Sequence, residues 1–149
     1  MLKTATFIGH RDPLTYDGAK IKKHIKLLIE EHGCQRFLCG GMGRFDNTCA
    51  FAVWELKKEY PFIKNHLVIP YLSFSVYEPY YYDEIIYPAE LENVFFKKSI
   101  LLRNKYLVDH ADAAICCIEH SWGGAYKTYQ YAKRKGLYMV ELSAKDLHT

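Results

Sequence analysis

Ala113-Ala114-Ile115-Cys116-Cys117-Ile118 carries no polar side chain and is followed closely by Ser121-Trp122-Gly123-Gly124. A run this short, apolar on both alternating faces, predicts a strand covered on both sides. The glycines open a helix that extends to Lys135, and Tyr138 to Leu142 then predicts another strand. Strand, glycine turn, helix and strand together form the repeating unit of a parallel sheet.

The same alternation holds toward the N-terminus. Thr4 to Gly9 predicts a buried strand, and Ile21, Ile25, Leu28 and Ile29 recur at helical spacing opposite Lys20, Lys22, Lys23 and Lys26. Gly33 supplies the stop. Arg36 to Cys39 predicts a second strand, ending at Gly40-Gly41-Met42-Gly43. Asp46 is placed to cap the next helix, whose apolar stripe is Cys49, Ala52, Val53, Leu56 and Tyr60 before Pro61. His66 to Pro70 predicts the third strand, and a helix is expected from about Lys97 to His110.

The expected fold is therefore α/β, one domain over residues 1–149, with a mainly parallel five-stranded sheet in the order 3-2-1-4-5 and helices on both faces. In that order the strand connections reverse between strands one and four. Ligands of such sheets bind in the crevice beyond the carboxyl ends of the strands at that point.

Composition narrows the function. The 149 residues are 50% hydrophobic and 25% charged, a globular balance, and the net charge of +3 gives no expectation of a nucleic-acid or lipid partner. No apolar run is long enough to span a membrane, and the N-terminus has too short an apolar stretch for a signal peptide. Cys34, Cys39, Cys49, Cys116 and Cys117 are odd in number and form no C-x-x-C pair, which predicts reduced thiols and a cytoplasmic location. The histidines show no metal-ligand spacing and no G-x-S-x-G elbow occurs, so no metal is expected and no cofactor is required.

Three loops fall at the crevice. Gly9-His10-Arg11-Asp12-Pro13 offers a close backbone approach and a guanidinium suited to phosphate or carboxylate, or else an ordinary turn. Gly40-Gly41-Met42-Gly43-Arg44-Phe45-Asp46 is a strand–glycine–helix junction suited to an anion, except that Asp46 would repel a pyrophosphate. Asp46 then either caps the helix or accepts ribose hydroxyls. Ser121-Trp122-Gly123-Gly124, with Lys127 and Thr128 in the next turn, suits phosphate but lacks the glycine that precedes the lysine of a Walker loop. Arg103 and Asn104 share a helix stripe with Ile100, Leu107 and Val108, so Arg103 requires an internal partner (Asp46 or Asp112) or a ligand anion. Tyr77, Tyr80, Tyr81, Tyr82 and Tyr87 suit core and subunit interface, or a lid that stacks a base.

Together, Gly9-His10-Arg11, the Gly-Gly-Met-Gly-Arg-Phe-Asp loop, Arg103 with Ala111-Asp112-Ala113, and Trp122-Gly123-Gly124 with Lys127-Thr128 resemble the SLOG superfamily, in its small YpsA-like form. The resemblance implies a Rossmann-like three-layer fold that binds a nucleotide or nucleotide-derived ligand, such as an ADP-ribose-type molecule, and a homo-oligomer. The superfamily also holds the LOG phosphoribohydrolases, which cleave the N-glycosidic bond of nucleoside monophosphates, and the DprA recombination mediators. A LOG-like turn would be followed by a catalytic glutamate, where this chain has Tyr129, Gln130 and Tyr131. Cleavage needs a carboxylate against the developing ribosyl cation, and the loops supply Asp12, Asp46 and Glu119. Asp46 and Glu119, with Arg103 on the phosphate, are the catalytic candidates under that reading.

Overall fold

The computed structural model describes residues 1–11 and 15–147. Six parallel strands form one sheet: β1 (Thr4–Gly9), β2 (Arg36–Cys39), β3 (Lys64–Val68), β4 (Glu84–Ile86), β5 (Ala113–Cys117) and β6 (Tyr138–Glu141). Their order is β4-β3-β2-β1-β5-β6. The five strands expected from sequence keep their relative order, and β4 adds a sixth at the β3 edge. The expectation of five strands is corrected on that point.

The missed strand lies inside the tyrosine-rich segment and is only three residues long. Its docking depends on Asp83, whose carboxylate accepts the Asn65 N–H at 2.8 Å and forms an ion pair with Lys57. The Asp83 N–H in turn donates to the Asn65 carbonyl at 2.7 Å. Asn65, fully buried, spends its side-chain amide on the carbonyls of Ala50 and Tyr81. One buried amide thus ties β3 to its neighbouring helix and to the segment that leads into β4.

Helices α1 (Gly18–His32) and α2 (Gly43–Leu56) cover one face, and α3 (Phe96–Asp109) and α4 (Gly123–Lys135) the other. The short α5 (Ala144–Leu147) packs on α1. Alternation along the central strands explains the two cores. Ala5, Phe7, Phe37, Cys39, Ile115 and Cys117 face α1 and α2, whereas Ile8, Ala114 and Cys116 face α3 and α4. β1 and β5 are therefore buried on both sides, as expected of central strands, and the buried Thr6 hydroxyl of β1 donates to the Leu38 carbonyl at 2.8 Å.

Local signals set the helix ends. Asp17 caps α1 by accepting the Ala19 and Lys20 N–H groups, and Gly33 ends it in the left-handed conformation. α2 starts earlier than Asp46, with Met42 at the cap position. No helix among the described residues is long and apolar enough to cross a membrane.

Candidate functional site

The chain's connections diverge between β1 and β5, which pair from Ala5 with Ala113 to Gly9 with Cys117. Beyond their carboxyl ends lies a cleft of about 260 Å³, lined among others by Gly9, His10, Arg11, Asp46, Asn104 and Trp122. It sits where the sheet topology places it.

Close packing brings the first two loops together. A Cβ on Gly9 would lie 2.3 Å from Phe45 Cδ2, so the absent side chain lets α2 press against the end of β1. Gly43 has φ +91°, and a Cβ there would meet the Arg11 Cα at 3.0 Å. Glycine is needed at both positions, first for space and then for conformation as well. The result places exposed Arg11 beside the start of α2.

Asp46 lies in the first turn of α2, and its Oδ2 accepts the Met42 N–H at 3.1 Å. This reach back to the cap residue resembles half of a capping box, displaced by one position. Burial pushes the Asp46 carboxyl up to about 6, opposed by the Met42 N–H and by the charges of Arg103 and Arg11. Gly40 leaves room here, since a Cβ on it would lie 3.1 Å from Asp46 Oδ2.

Arg103 is 1% exposed. Its Nη1 donates to the carbonyls of Gly40 and Val68, each at 2.7 Å, and its Nε donates to Asn104 Oδ1 at 3.1 Å. Nη2 lies 3.0 Å from Met42 Sδ. The partners anticipated from sequence resolve accordingly. Asp46 supplies an opposite charge, Asp112 instead accepts the Thr4 N–H, and the direct contacts are backbone carbonyls at the ends of β2 and β3. Burial lowers Arg103 to about 10, with Asp46 opposing the shift.

Three rings that also line the cleft stack on one another. His10 lies on His120 with centroids 3.6 Å apart, and His120 lies on Trp122 at 3.7 Å. His10 Nε2 accepts the Glu119 N–H at 3.1 Å, which leaves that nitrogen unprotonated and holds the loop after β5 against β1. His120 was missed in the sequence. The available signal was β-sheet register: with Gly9 opposite Cys117, residues just beyond each strand are neighbours.

The remaining candidates divide. Gly123, Gly124 and Thr128 line the cleft, with Thr128 Oγ1 donating to the Gly124 carbonyl at 2.8 Å. Trp122 caps α4 without a side-chain hydrogen bond, and the first turn of α4 has no acidic residue. Gly40, Gly41 and Gly43 shape the floor rather than line it. Ser121, Glu119 and Lys127 are exposed and do not line the cleft. Arg44 is exposed in a separate groove with Asn47, Thr48 and Tyr77. Of the basic candidates Arg11, Arg44, Arg103 and Lys127, the cleft is therefore lined by Arg11 and Arg103 alone. Asp12 and Pro13 lie outside the described residues.

The tyrosine segment packs on α2. Tyr81 is buried against Phe51 and Trp54, and Tyr80 makes an edge contact with Trp54. Tyr129 and Tyr131, which stand where a LOG-like glutamate would, do not line the cleft; their hydroxyls donate to Glu141 at the end of β6 and to Asp109 at the end of α3. Among the described residues no cluster of His, Cys, Asp or Glu has the grouping to hold a metal.

A family model described as the YspA SLOG family matches residues 6–142. The chain belongs to this family. A curated relative, the uncharacterized SPbeta prophage-derived protein YoqJ of Bacillus subtilis (strain 168), is 28% identical over 77% of this chain and 79% of its own length. Two solved structures share the fold of this SLOG chain. DNA processing protein A (DprA) from Helicobacter pylori is 18% identical with a TM-score of 0.58 over 92% of this chain. Its counterpart from Streptococcus pneumoniae is 15% identical with a TM-score of 0.51 over 97% of this chain. The chain spans 63% and 60% of those two proteins.

The Helicobacter pylori protein is described by its single-stranded DNA binding mode. The exclusion of nucleic acid on a net charge of +3 is thereby overturned as a general inference for this fold. Net charge sums the whole surface, whereas a strand meets only local charge.

Proposed function

We propose that the cleft binds a nucleotide or nucleotide-derived ligand, of the nucleoside monophosphate or ADP-ribose and NAD type. The observation that carries this reading is that the starts of α2 and α4 both open on one cleft and differ in charge. The start of α4 presents uncapped N–H groups with no acid in its first turn, which suits phosphate. The start of α2 presents Asp46, which suits hydroxyl donors such as those of a ribose. Arg11 adds a positive charge at the rim. Arg103, with its donors directed at carbonyls, positions the floor of the site.

The cleft volume of about 260 Å³ lies just below the roughly 300–1,000 Å³ usual for small-molecule sites, which favours one nucleotide unit over two. The buried free thiols support a reducing, cytoplasmic setting, and no cofactor is called for. Assembly as a homo-oligomer belongs to the same reading. Calorimetric titration with AMP, ADP-ribose and NAD tests it. Saturable binding of at least one is expected, and heatless titrations of folded protein with all three overturn it.

A second reading, N-glycosidic cleavage of nucleoside 5′-monophosphates, is favoured by one observation: Asp46 is a carboxylate lining the cleft, whereas Glu119 is not. Ionised Asp46 would face the positive charge that develops on the ribose. Release of free base from common monophosphates is the test, and no release from any of them removes this reading while leaving binding intact.

A further inference from the structure

The stack of His10, His120 and Trp122 has a layer on the inside and an open face on the outside. The two contacts are nearly parallel, at 24° and 19°, and their centroid separations of 3.6 and 3.7 Å are those of rings in face contact. His10 is 6% exposed and anchored through its Nε2 by the Glu119 and His120 N–H groups. His120 covers one face of Trp122, yet Trp122 remains 67% exposed while lining the cleft. A large aromatic ring held rigidly from behind and left open in front is suited to receive one more planar ring.

We infer that Trp122 is a stacking platform for a heterocyclic base, which would extend the ordered His10–His120–Trp122 column by one layer. This rests on the nucleotide reading above and adds to it the end of the ligand that the phosphate and hydroxyl contacts leave unassigned. The column matters because stacking on a ring that is already immobilised loses little side-chain freedom on binding. It also selects by shape and π-face rather than by hydrogen bonding, so purines and pyrimidines are both accepted, purines more tightly. The shared chemistry is a nucleobase, whether carried by a free nucleotide or by a single strand.

Tryptophan fluorescence reads this directly, because Trp54 and Trp122 are the two tryptophans of the chain and Trp54 lies in the separate cluster with Phe51 and Tyr80. In a W54F background, AMP is expected to quench the remaining emission, and ribose 5-phosphate, which lacks the base, is expected to bind without comparable quenching. Replacing Trp122→Ala should weaken AMP roughly tenfold or more, as removal of a base-stacking aromatic does, and leave ribose 5-phosphate within about twofold. Trp122→Phe should retain most of the AMP affinity. Quenching by a short oligothymidylate but not by AMP would support the platform and assign the base to a strand. AMP binding that is unchanged by Trp122→Ala overturns the platform and leaves the nucleotide reading standing. Failure of AMP, ADP-ribose, NAD and oligothymidylate all to bind overturns both.

Discussion

Arg103 Nη1 donates to the carbonyl oxygen of Gly40 at 2.7 Å from a position that is 1% exposed. The same nitrogen reaches the Val68 carbonyl, so one guanidinium joins the ends of β2 and β3 beneath the cleft. Replacing Arg103→Met would leave two inward carbonyls without this donor. Each buried group left unpaired costs about 1–3 kcal/mol, so a loss of about 2–6 kcal/mol is expected in urea denaturation. Exposed Arg44→Ala should change stability by no more than about 0.5 kcal/mol. Equal midpoints for the two variants would show that Arg103 does not brace the floor.

Asp46 should give stability a distinct pH dependence. Its carboxyl is raised to about 6 in the folded chain, above its ordinary range near 4. The folded state therefore binds this proton more tightly than the unfolded chain. The resulting contribution to stability is complete below about pH 4 and is lost as pH rises through 6. Relative to Asp46→Asn, the wild type should gain stability between pH 7 and pH 4. Parallel pH profiles for the two proteins would contradict the assignment.

Ligand affinity should divide the basic residues by their placement. Arg11→Ala is expected to weaken AMP about tenfold or more, on the scale of a hydrogen bond to a charged group. Arg44→Ala and Lys127→Ala, which do not line the cleft, should each stay within about twofold of wild type in the same titration. A larger loss from Lys127→Ala than from Arg11→Ala would move the phosphate away from the proposed position.

Gly9→Ala tests the contact between β1 and α2. The new methyl carbon would start 2.3 Å from Phe45 Cδ2, and Phe45 is fully buried. Overpacking of this kind costs about 1–3 kcal/mol, which should lower the Tm by about 2–4 °C per kcal/mol in a chain of this size. An unchanged Tm would mean that the two elements separate at little cost.

The sheet and its crevice were legible because apolar strands, glycine turns and amphipathic helices alternate without interruption. β4 was not, because three residues inside an aromatic run carry too little periodicity, and their docking depends on Asn65 and Asp83. Arg44 and Asp46 were grouped as one motif, yet residues two apart on a helix point about 200° away from each other. Only Asp46 faces the cleft. Lys127 and Thr128 differ for a similar reason, one turning outward and the other packing inward. The ring column escaped notice because it joins residues 10 and 120 across the β1–β5 pair, a neighbourhood that exists only once strand register is known.

The most direct measurement is a titration of isotope-labelled protein with AMP, followed by the backbone amide resonances. Saturable shifts should centre on Gly9, Arg11, Asp46, Asn104, Gly123 and Gly124, the cleft at the ends of β1 and β5. Saturable shifts confined to other surfaces, or none with AMP, ADP-ribose or NAD at millimolar concentration, would contradict a nucleotide site in this cleft.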